Sequence, residues 1–424
     1  MYSLVQRCRP LFLQRDFRVV LVLNVLLGLA YSFVVPFMSM FGTIEAGMSP
    51  GAFSVFMTCT AVAGIGFGTV LAHYSDVRYS RRSMLLLGSA SGAIGYIGFA
   101  FVRDYAALLL IGALVLGISS ITFSQVFALA REHLGRSGLP KAEGPFYMNA
   151  FRMFFALSWT VGPAIASWMM VAFSYTGLFL AAAACFAAFF GTAWFFVPAS
   201  PRALPSAGTA PRSESVVTVL RRPDVFAHFA GFVLIFASGT IGMMNLPLLA
   251  IQDLGGNEHH VGIIYSIAPV FELPLMLYFG LLASRQDPAR IIRLGVFIAI
   301  AYYALLAVVR APWHIYPIQV LSAAVVAVTS GVAITYFQNY LPHHPGSATN
   351  LYATAQRIGS TLGYLLFGTL SGNFGHRGVF IGCTLFSALS LALLYVPARP
   401  DEPDPKARPL EPTTAGGSVS RAAA

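Results

Sequence analysis

The chain carries little charge for its length. Of its 424 residues only 10% are Asp, Glu, Lys or Arg, whereas 57% are hydrophobic. Soluble domains carry about a quarter charged residues, and a chain of this length would ordinarily form two or three of them. Because no soluble core could hide this much apolar surface, the composition excludes an ordinary soluble protein and indicates a membrane protein.

Cysteine is scarce, and so are the motifs of catalysis. The four cysteines, Cys8, Cys59, Cys185 and Cys383, have neither metal-binding nor redox spacing, so we expect no disulfide framework and no zinc site. The sequence contains no Walker phosphate loop, no nucleophile elbow and no cluster of metal ligands. We therefore expect no enzyme activity, no cofactor, no metal and no ATP-driven transport.

What the chain has instead is long apolar runs. Stretches of about 18 or more apolar residues with few charges predict an all-α membrane protein with twelve transmembrane helices. The predicted spans are Phe17 to Ser39, Ala52 to His73, Met84 to Val102, Tyr105 to Ala130, Phe146 to Phe173, Thr176 to Val197, Phe226 to Ile251, Val261 to Ala283, Leu294 to Val309, Ile315 to Phe337, Leu351 to Ser371 and Val379 to Val396.

Basic residues are distributed unevenly between the loops. Of the 26 Lys and Arg residues, 21 lie at the two ends of the chain or in alternate loops, and only Arg103, Arg310 and Arg377 lie in the other loops. The positive-inside rule then places both termini in the cytoplasm. The net charge of +10 thus reflects membrane topology, and we expect no nucleic-acid partner.

The two halves of the chain repeat the same order of apolar spans and basic residues. A stretch rich in Pro, Ala and Ser separates six spans from six, and Arg103 and Arg152 recur as Arg310 and Arg357. Such a repeat predicts two pseudo-symmetric six-helix halves. The predicted units are an N-terminal half (1–200), a cytoplasmic linker (201–225), a C-terminal half (226–398) and a disordered cytoplasmic tail (399–424).

Several motifs carry a resemblance to a known family. The loop A-H-Y-S-D-V-R-Y-S-R-R (72–82) resembles the cytoplasmic signature of the major facilitator superfamily, which implies gating roles for Asp76, Arg81 and Arg82. The run W-T-V-G-P-A-I-A-S (159–167) resembles the antiporter motif. With F-A-L-A-R-E-H, F-E-L-P and Y-F-Q-N-Y-L-P, these stretches look like the bacterial sugar efflux transporter family. The resemblance implies a major facilitator fold, a place in the bacterial inner (plasma) membrane, and proton-driven export of sugars or glycosides.

One acidic residue lies deep within an apolar run. In V-F-E-L-P-L-M-L (270–277), Glu272 lies roughly 18 Å from the outer end of its predicted helix, at 1.5 Å per residue. A charged carboxylate facing lipid there would cost several kcal/mol, so we expect Glu272 to face the protein interior or a water-filled cavity. Pro274 removes a backbone hydrogen bond and predicts a bend beside it. Glu272 is therefore the candidate proton-coupling residue; the alternative is a structural ion pair with Arg152 or Arg357.

Polar side chains form stripes on otherwise apolar helices. Because hydrocarbon offers such groups no partner, we expect these stripes to face inward. Amides and aromatic rings suit a neutral polyol, since its hydroxyls need hydrogen bonds and its C–H face needs a flat apolar surface. For any single amide, the alternative is a hydrogen bond between helices. The candidate substrate-binding residues are Asn24, Tyr31, Gln125, Asn149, Arg152, Trp159, Asn245, Tyr265, Glu272, Gln338, Arg357 and Thr361.

The sequence predicts a monomeric exporter that exchanges a small sugar or glycoside for protons, with Glu272, Arg152 and Arg357 as the proton-coupling group. Its expected partners are the sugar, protons and the lipid bilayer. Two alternatives stay open at this point: a multidrug/proton antiporter of the same fold, and a transport-inactive membrane sensor or scaffold.

Overall fold

The computed structural model describes residues 14–77, 80–136, 144–199, 219–341 and 345–397. Regular structure in those ranges is helical, without strands. Within them ten continuous helices are long and apolar enough to cross a membrane. The first four are α1 (Arg15–Glu45), α2 (Pro50–Val77), α3 (Arg81–Phe101) and α4 (Tyr105–Arg136).

Two of the ten helices are interrupted near their middle. Gly144–Phe196 has 53 residues and breaks at Ser174, with φ 56° and ψ −168°; Pro345–Leu393 has 49 residues and breaks at Gly375, with φ 64° and ψ 179°. One crossing needs about 20 residues, so each of these helices is long enough for two. Numbering the parts separately gives α5 (144–173), α6 (175–196), α11 (345–374) and α12 (376–393), so the described residues hold twelve helical segments.

The remaining helices lie between the two broken ones. They are α7 (Pro223–Asp253), α8 (Glu258–Ala283), α9 (Pro288–Val308) and α10 (Pro312–Tyr340). Short polar side chains cap the starts of several helices, where backbone N–H groups lack partners within the helix. Asp104 accepts from Ala107 N at 2.9 Å, and Asp287 from Ala289 N at 2.9 Å. Asn257 accepts from His260 N at 3.2 Å.

The helices pack through glycines. A Cβ atom on Gly28 of α1 would stand 2.8 Å from the Cβ of Ser158 on α5. In the second set of six, a Cβ atom on Gly359 of α11 would stand 2.6 Å from the carbonyl oxygen of Val233 on α7. Small residues let helix backbones approach closely where lipid gives no hydrophobic drive between them. The contacts α1–α5 and α7–α11 are equivalent under the predicted repeat.

The two sets of helices meet along α2–α11 and α5–α8, again through glycines (Gly368 and Gly262). We call the end of the bundle that holds the α2–α3 and α8–α9 connections, with Arg81 and Arg285, the basic end. The end that holds the α1–α2 and α7–α8 connections is the far end. Both glycine contacts between the sets lie nearer the far end, because Gly262 follows the start of α8 and Gly368 precedes the end of α11.

Candidate functional site

A cavity of about 740 Å³ lies between α1, α2, α3 and α4 on one side and α7 and α11 on the other. Cavities of roughly 300 to 1,000 Å³ are typical of small-molecule sites. Of the candidate substrate-binding residues, Tyr31 and Arg357 line it. Six other residues that matter for its chemistry are Thr60, Tyr96, Ser120, Ser124, Met244 and Tyr364.

The small hydroxyls of the cavity already donate their protons to the backbone. Thr60 Oγ1 donates to Phe56 O at 2.9 Å, and Ser120 Oγ donates to Gly64 O at 2.9 Å. Ser124 Oγ donates to Ile121 O at 2.9 Å. A hydroxyl has one donor and two acceptor sites, so a committed proton leaves oxygen lone pairs for a ligand. This side of the cavity therefore offers acceptors for ligand O–H groups.

Arg357 is the charged residue among the described residues that line the cavity. No Asp or Glu is among the described residues that line it, and Arg357 donates no side-chain hydrogen bond to any described residue. Guanidinium N–H groups with no protein partner are free for a ligand oxygen. The cavity consequently combines a cationic donor with hydroxyl acceptors, and its electrostatics disfavour a cationic ligand.

Aromatic rings form the apolar walls. Tyr31, Tyr96 and Phe99 contribute from α1 and α3, and Tyr364 from α11. Tyr31 is held edge-on against Phe186 of α6, with ring centroids 6.1 Å apart. Rings placed in this way present flat apolar surfaces, which suit the C–H face of a ring-shaped ligand.

Glu272 lies outside this cavity lining. It is half-buried on α8, and none of the four ion pairs formed among the described residues includes it. Tyr265, two turns earlier, donates to Met243 O on α7 at 2.6 Å, and Met244 next to that carbonyl lines the cavity. Glu272 thus lies on a helix that does not line the cavity, and it has no hydrogen-bond or ion-pair partner among the described residues.

Arg152 on α5 lies within electrostatic range of α11. Arg152 is exposed, makes no hydrogen bond to a described residue, and lies close enough to Tyr352 of α11 to interact with it electrostatically. The indole Nε1 of Trp159 is buried without a hydrogen-bond partner among the described residues. The side chain of Asn149 lies outside the described residues. Neither Arg152 nor Trp159 is part of the cavity lining.

The amide candidates bond to neighbouring helices. Asn24 Nδ2 donates to Phe151 O at 2.7 Å and ties α1 to α5. Asn245 Nδ2 donates to His376 O at 2.8 Å, and its Oδ1 lies 2.9 Å from His376 Nδ1. These part-buried bonds hold α7 to the start of α12, beside the break at Gly375.

The remaining polar candidates also form hydrogen bonds within the protein. Gln338 Nε2 donates to Thr349 Oγ1 at 3.3 Å, and Thr361 Oγ1 donates to Arg357 O at 2.9 Å. Gln125 Oε1 accepts from Arg81 Nη1 at 3.4 Å, near the basic end.

The predicted gating residues lie at the basic end of the first helix set. Arg81 Nε donates to Glu132 Oε2 of α4 at 2.7 Å, and Glu132 Oε1 accepts from Arg136 at 2.6 Å. Arg82 donates to Trp194 O at 2.7 Å and lies over that ring. The side chain of Asp76 lies outside the described residues. These bonds tie the start of α3 to α4 and α6.

Sequence reasoning missed several of these groups. The cavity hydroxyls Thr60, Ser120 and Ser124 resemble ordinary helix-facing residues in a sequence, although their clustering on α2 and α4 is a weak signal. Glu132 lies within F-A-L-A-R-E-H, at the end of its span. Its negative charge on the same side of the membrane as Arg81 is the signal that could have found it. His376 had no signal, because its partner Asn245 is 131 residues away.

Comparison with known proteins identifies the family. The model of the Major Facilitator Superfamily matches residues 20–364 and 316–421. The chain belongs to the major facilitator superfamily. The fold agrees, since the solved structure of the nucleoside transporter NupG superposes with a TM-score of 0.77 at 14% identity, over 90% of this chain and 98% of that one.

Relatives with closer sequences carry a narrower name. Sugar efflux transporter A of Dickeya chrysanthemi is 30% identical over 381 residues, 88% of this chain and 93% of that protein. Sugar efflux transporter B of Salmonella typhimurium is 30% identical over 363 residues, 85% of this chain and 90% of that protein. The resemblance to the bacterial sugar efflux transporter family is thereby confirmed. This major facilitator protein is a multi-pass membrane transporter and not an enzyme.

Proposed function

We propose that this transporter exports a small sugar or glycoside in exchange for protons. The observation that carries the proposal is the cavity, which joins Arg357 and backbone-committed hydroxyls to tyrosine rings and has no acidic residue among the described residues that line it. A neutral, hydroxyl-rich ring meets donors, acceptors and flat apolar surface there. The names of the relatives from Dickeya chrysanthemi and Salmonella typhimurium support the same substrate class.

Glu272 is the proposed proton carrier. An ionisable group within the membrane is functional by default when it faces the protein interior, and Glu272 has no partner among the described residues. In this proposal Glu272 takes up a proton from outside and releases it inside, so that protonation and sugar occupancy alternate. Arg152 and Arg357 supply positive charge that favours the ionised carboxylate when the site faces inward.

Alternating access follows from the two sets of helices. We infer that residues 1–200 and 226–398 form halves that rock about the cavity. Most of the predicted linker (201–225) and the whole of the predicted tail (399–424) lie outside the described residues. The protein lies in a bacterial inner membrane, with its basic end towards the cytoplasm. The transporter works as a monomer. In this proposal Asp76, Arg81 and Arg82 are the gating residues, and the bonds of Arg81 and Arg82 to α4 and α6 hold the basic end of the first half.

The proton gradient supplies enough energy for this exchange. A membrane potential of 100 mV contributes about 2.3 kcal/mol for each proton moved inward. With a neutral sugar and one proton per cycle, that energy supports a concentration ratio of about fiftyfold, since each 1.4 kcal/mol is a factor of ten.

Everted membrane vesicles with and without the protein test the proposal. Labelled glucosides, galactosides and one lipophilic cation are offered under an imposed pH gradient. We expect accumulation of a sugar that collapses when a protonophore is added. Accumulation of the cation alone would establish the multidrug alternative instead, and binding without flux of any compound would establish a transport-inactive sensor.

A further inference from the structure

A second pocket lies on the side of the bundle at the basic end. It has a volume of about 280 Å³ and is formed by the first turns of α9, the last turn of α12 and Tyr395 just beyond that turn. Its lining consists of Arg290, Arg293, Leu294, Phe297, Leu391 and Tyr395. Among the described residues, none lines both this pocket and the central cavity.

The two arginines of this pocket lack acidic partners among the described residues. Neither occurs in the four ion pairs found there, and Arg293 Nε is buried without a hydrogen-bond partner. The guanidinium of Arg293 stands over the ring of Tyr395, with its carbon 4.8 Å from the ring centroid. The nearby carboxylate of Asp287 caps α9 through Ala289 N at 2.9 Å. The guanidinium of Arg293 therefore stands in a defined position over Tyr395, and its Nε–H group has no hydrogen-bond acceptor among the described residues. It can donate to an anion in the pocket.

Helix geometry adds to this positive potential. Arg290 is the third residue of α9, in the first turn, where unpaired N–H groups and the helix dipole favour negative charge. Arg293 lies one turn further on. A phosphate placed between the two guanidinium groups would receive charge-assisted hydrogen bonds, which are about twice as strong as neutral ones.

The other walls of the pocket are apolar and open to the surface. Leu294 is 45% exposed and Phe297 is 60% exposed, and both continue along α9 towards the middle of the membrane span. A free phosphate ion would leave this apolar surface uncovered. An amphiphile whose phosphate lies at the membrane interface and whose acyl chain runs along α9 would cover both parts of the pocket.

We propose that this pocket binds the phosphate headgroup of an anionic phospholipid from the leaflet at the basic end. Arg290 and Arg293 hold the phosphate, Tyr395 orients Arg293, and Leu294 and Phe297 contact the first part of an acyl chain. The site is independent of the sugar and of proton coupling, since neither Glu272 nor Arg357 takes part in it.

Native mass spectrometry of the purified full-length protein in detergent tests this site. The protein is titrated with phosphatidylglycerol, with phosphatidylcholine and with inorganic phosphate. The double variant Arg290→Gln/Arg293→Gln is compared with Arg285→Gln, which removes an exposed arginine at the same end but outside the pocket. We expect the double variant to bind phosphatidylglycerol about thirtyfold more weakly, from about 1 kcal/mol per basic residue. Arg285→Gln should bind it as wild type does.

Results of three kinds would overturn the proposal. Equal affinity of the double variant and wild type for phosphatidylglycerol would show that the arginines hold no lipid. Equal binding of phosphatidylcholine, or full competition by inorganic phosphate, would show a general lipid surface or a small-anion site. The third result concerns the chain's own acidic residues Asp401, Glu402 and Asp404. If phosphatidylglycerol bound only after their replacement by amides, the tail would be the occupant.

Discussion

Gly368 of α11 and Ser54 of α2 touch across the two helix sets. A Cβ atom on Gly368 would stand 2.5 Å from Ser54 Oγ and 2.6 Å from Pro50 O. The contact between α8 and α5 repeats this geometry, since a Cβ atom on Gly262 would stand 2.5 Å from Ser167 Oγ and 2.8 Å from Pro163 O. In each case a glycine of the second set fits against a Pro-x-x-x-Ser stretch of the first, nearer the far end.

We expect Gly368→Val to open the far end. The added side chain would overlap Ser54 and Pro50, and overpacking costs about 1–3 kcal/mol. The closed contact is therefore destabilised relative to a conformation with the helices apart. In a background without native cysteines, Thr60→Cys in the cavity should react faster with an impermeant maleimide applied from the far side. Gly372→Val, one turn later with nothing within 4 Å, is the control and should leave that rate unchanged.

Glu272→Gln should abolish uphill transport while sparing downhill exchange. Glutamine keeps the size of the side chain but cannot bind and release a proton. In everted vesicles we expect the accumulation ratio under a pH gradient to fall to about one, the value without coupling. Exchange of labelled for unlabelled sugar should continue. Glu258→Gln, at the start of the same helix, is the matched control; undiminished accumulation in Glu272→Gln would refute the proton-carrier role.

Arg357→Gln should weaken sugar binding. Hydrogen bonds from a charged group contribute about 1.5–3 kcal/mol, so losing one costs roughly ten- to hundredfold in Kd. Equilibrium binding of the sugar that passes the vesicle assay measures this change. Arg310→Gln, which removes an exposed arginine from the loop before α10, should leave Kd unaltered. If both variants bind equally well, the cavity beside Arg357 is not the sugar site.

Asn245→Ala should lower stability and leave sugar affinity intact. The substitution removes the bonds to His376 O and Nδ1 and leaves these groups without their partner, at about 1–2 kcal/mol. The Tm of the purified protein should fall, while Kd for the transported sugar should not change. Asn373→Ala, which removes an exposed bond to Thr369 O at 2.7 Å, should lower Tm less. A loss of sugar affinity at unchanged Tm would instead make Asn245 a ligand-binding residue.

The membrane class and the helical spans were determined by the sequence alone. Burial of apolar side chains in lipid is a local property of each run, so composition and run length suffice to find it, from Phe17 to Val396. The same local reasoning finds Glu272 and Arg357, because a charge within an apolar run is conspicuous wherever the helix packs.

The hydrogen-bond and ion-pair partners of the polar side chains were decided only by tertiary structure. Whether Asn245 faces a ligand or His376, and whether Glu272 meets Arg152 or stands alone, depends on the rotation and crossing of helices far apart in the chain. Those angles are set by close glycine contacts such as Gly368 with Ser54. The pattern of residues along a single helix does not encode contacts with another helix. The cavity hydroxyls of Thr60 and Ser120 became recognisable for the same reason, since their role comes from the space between helices and not from their own positions in the sequence.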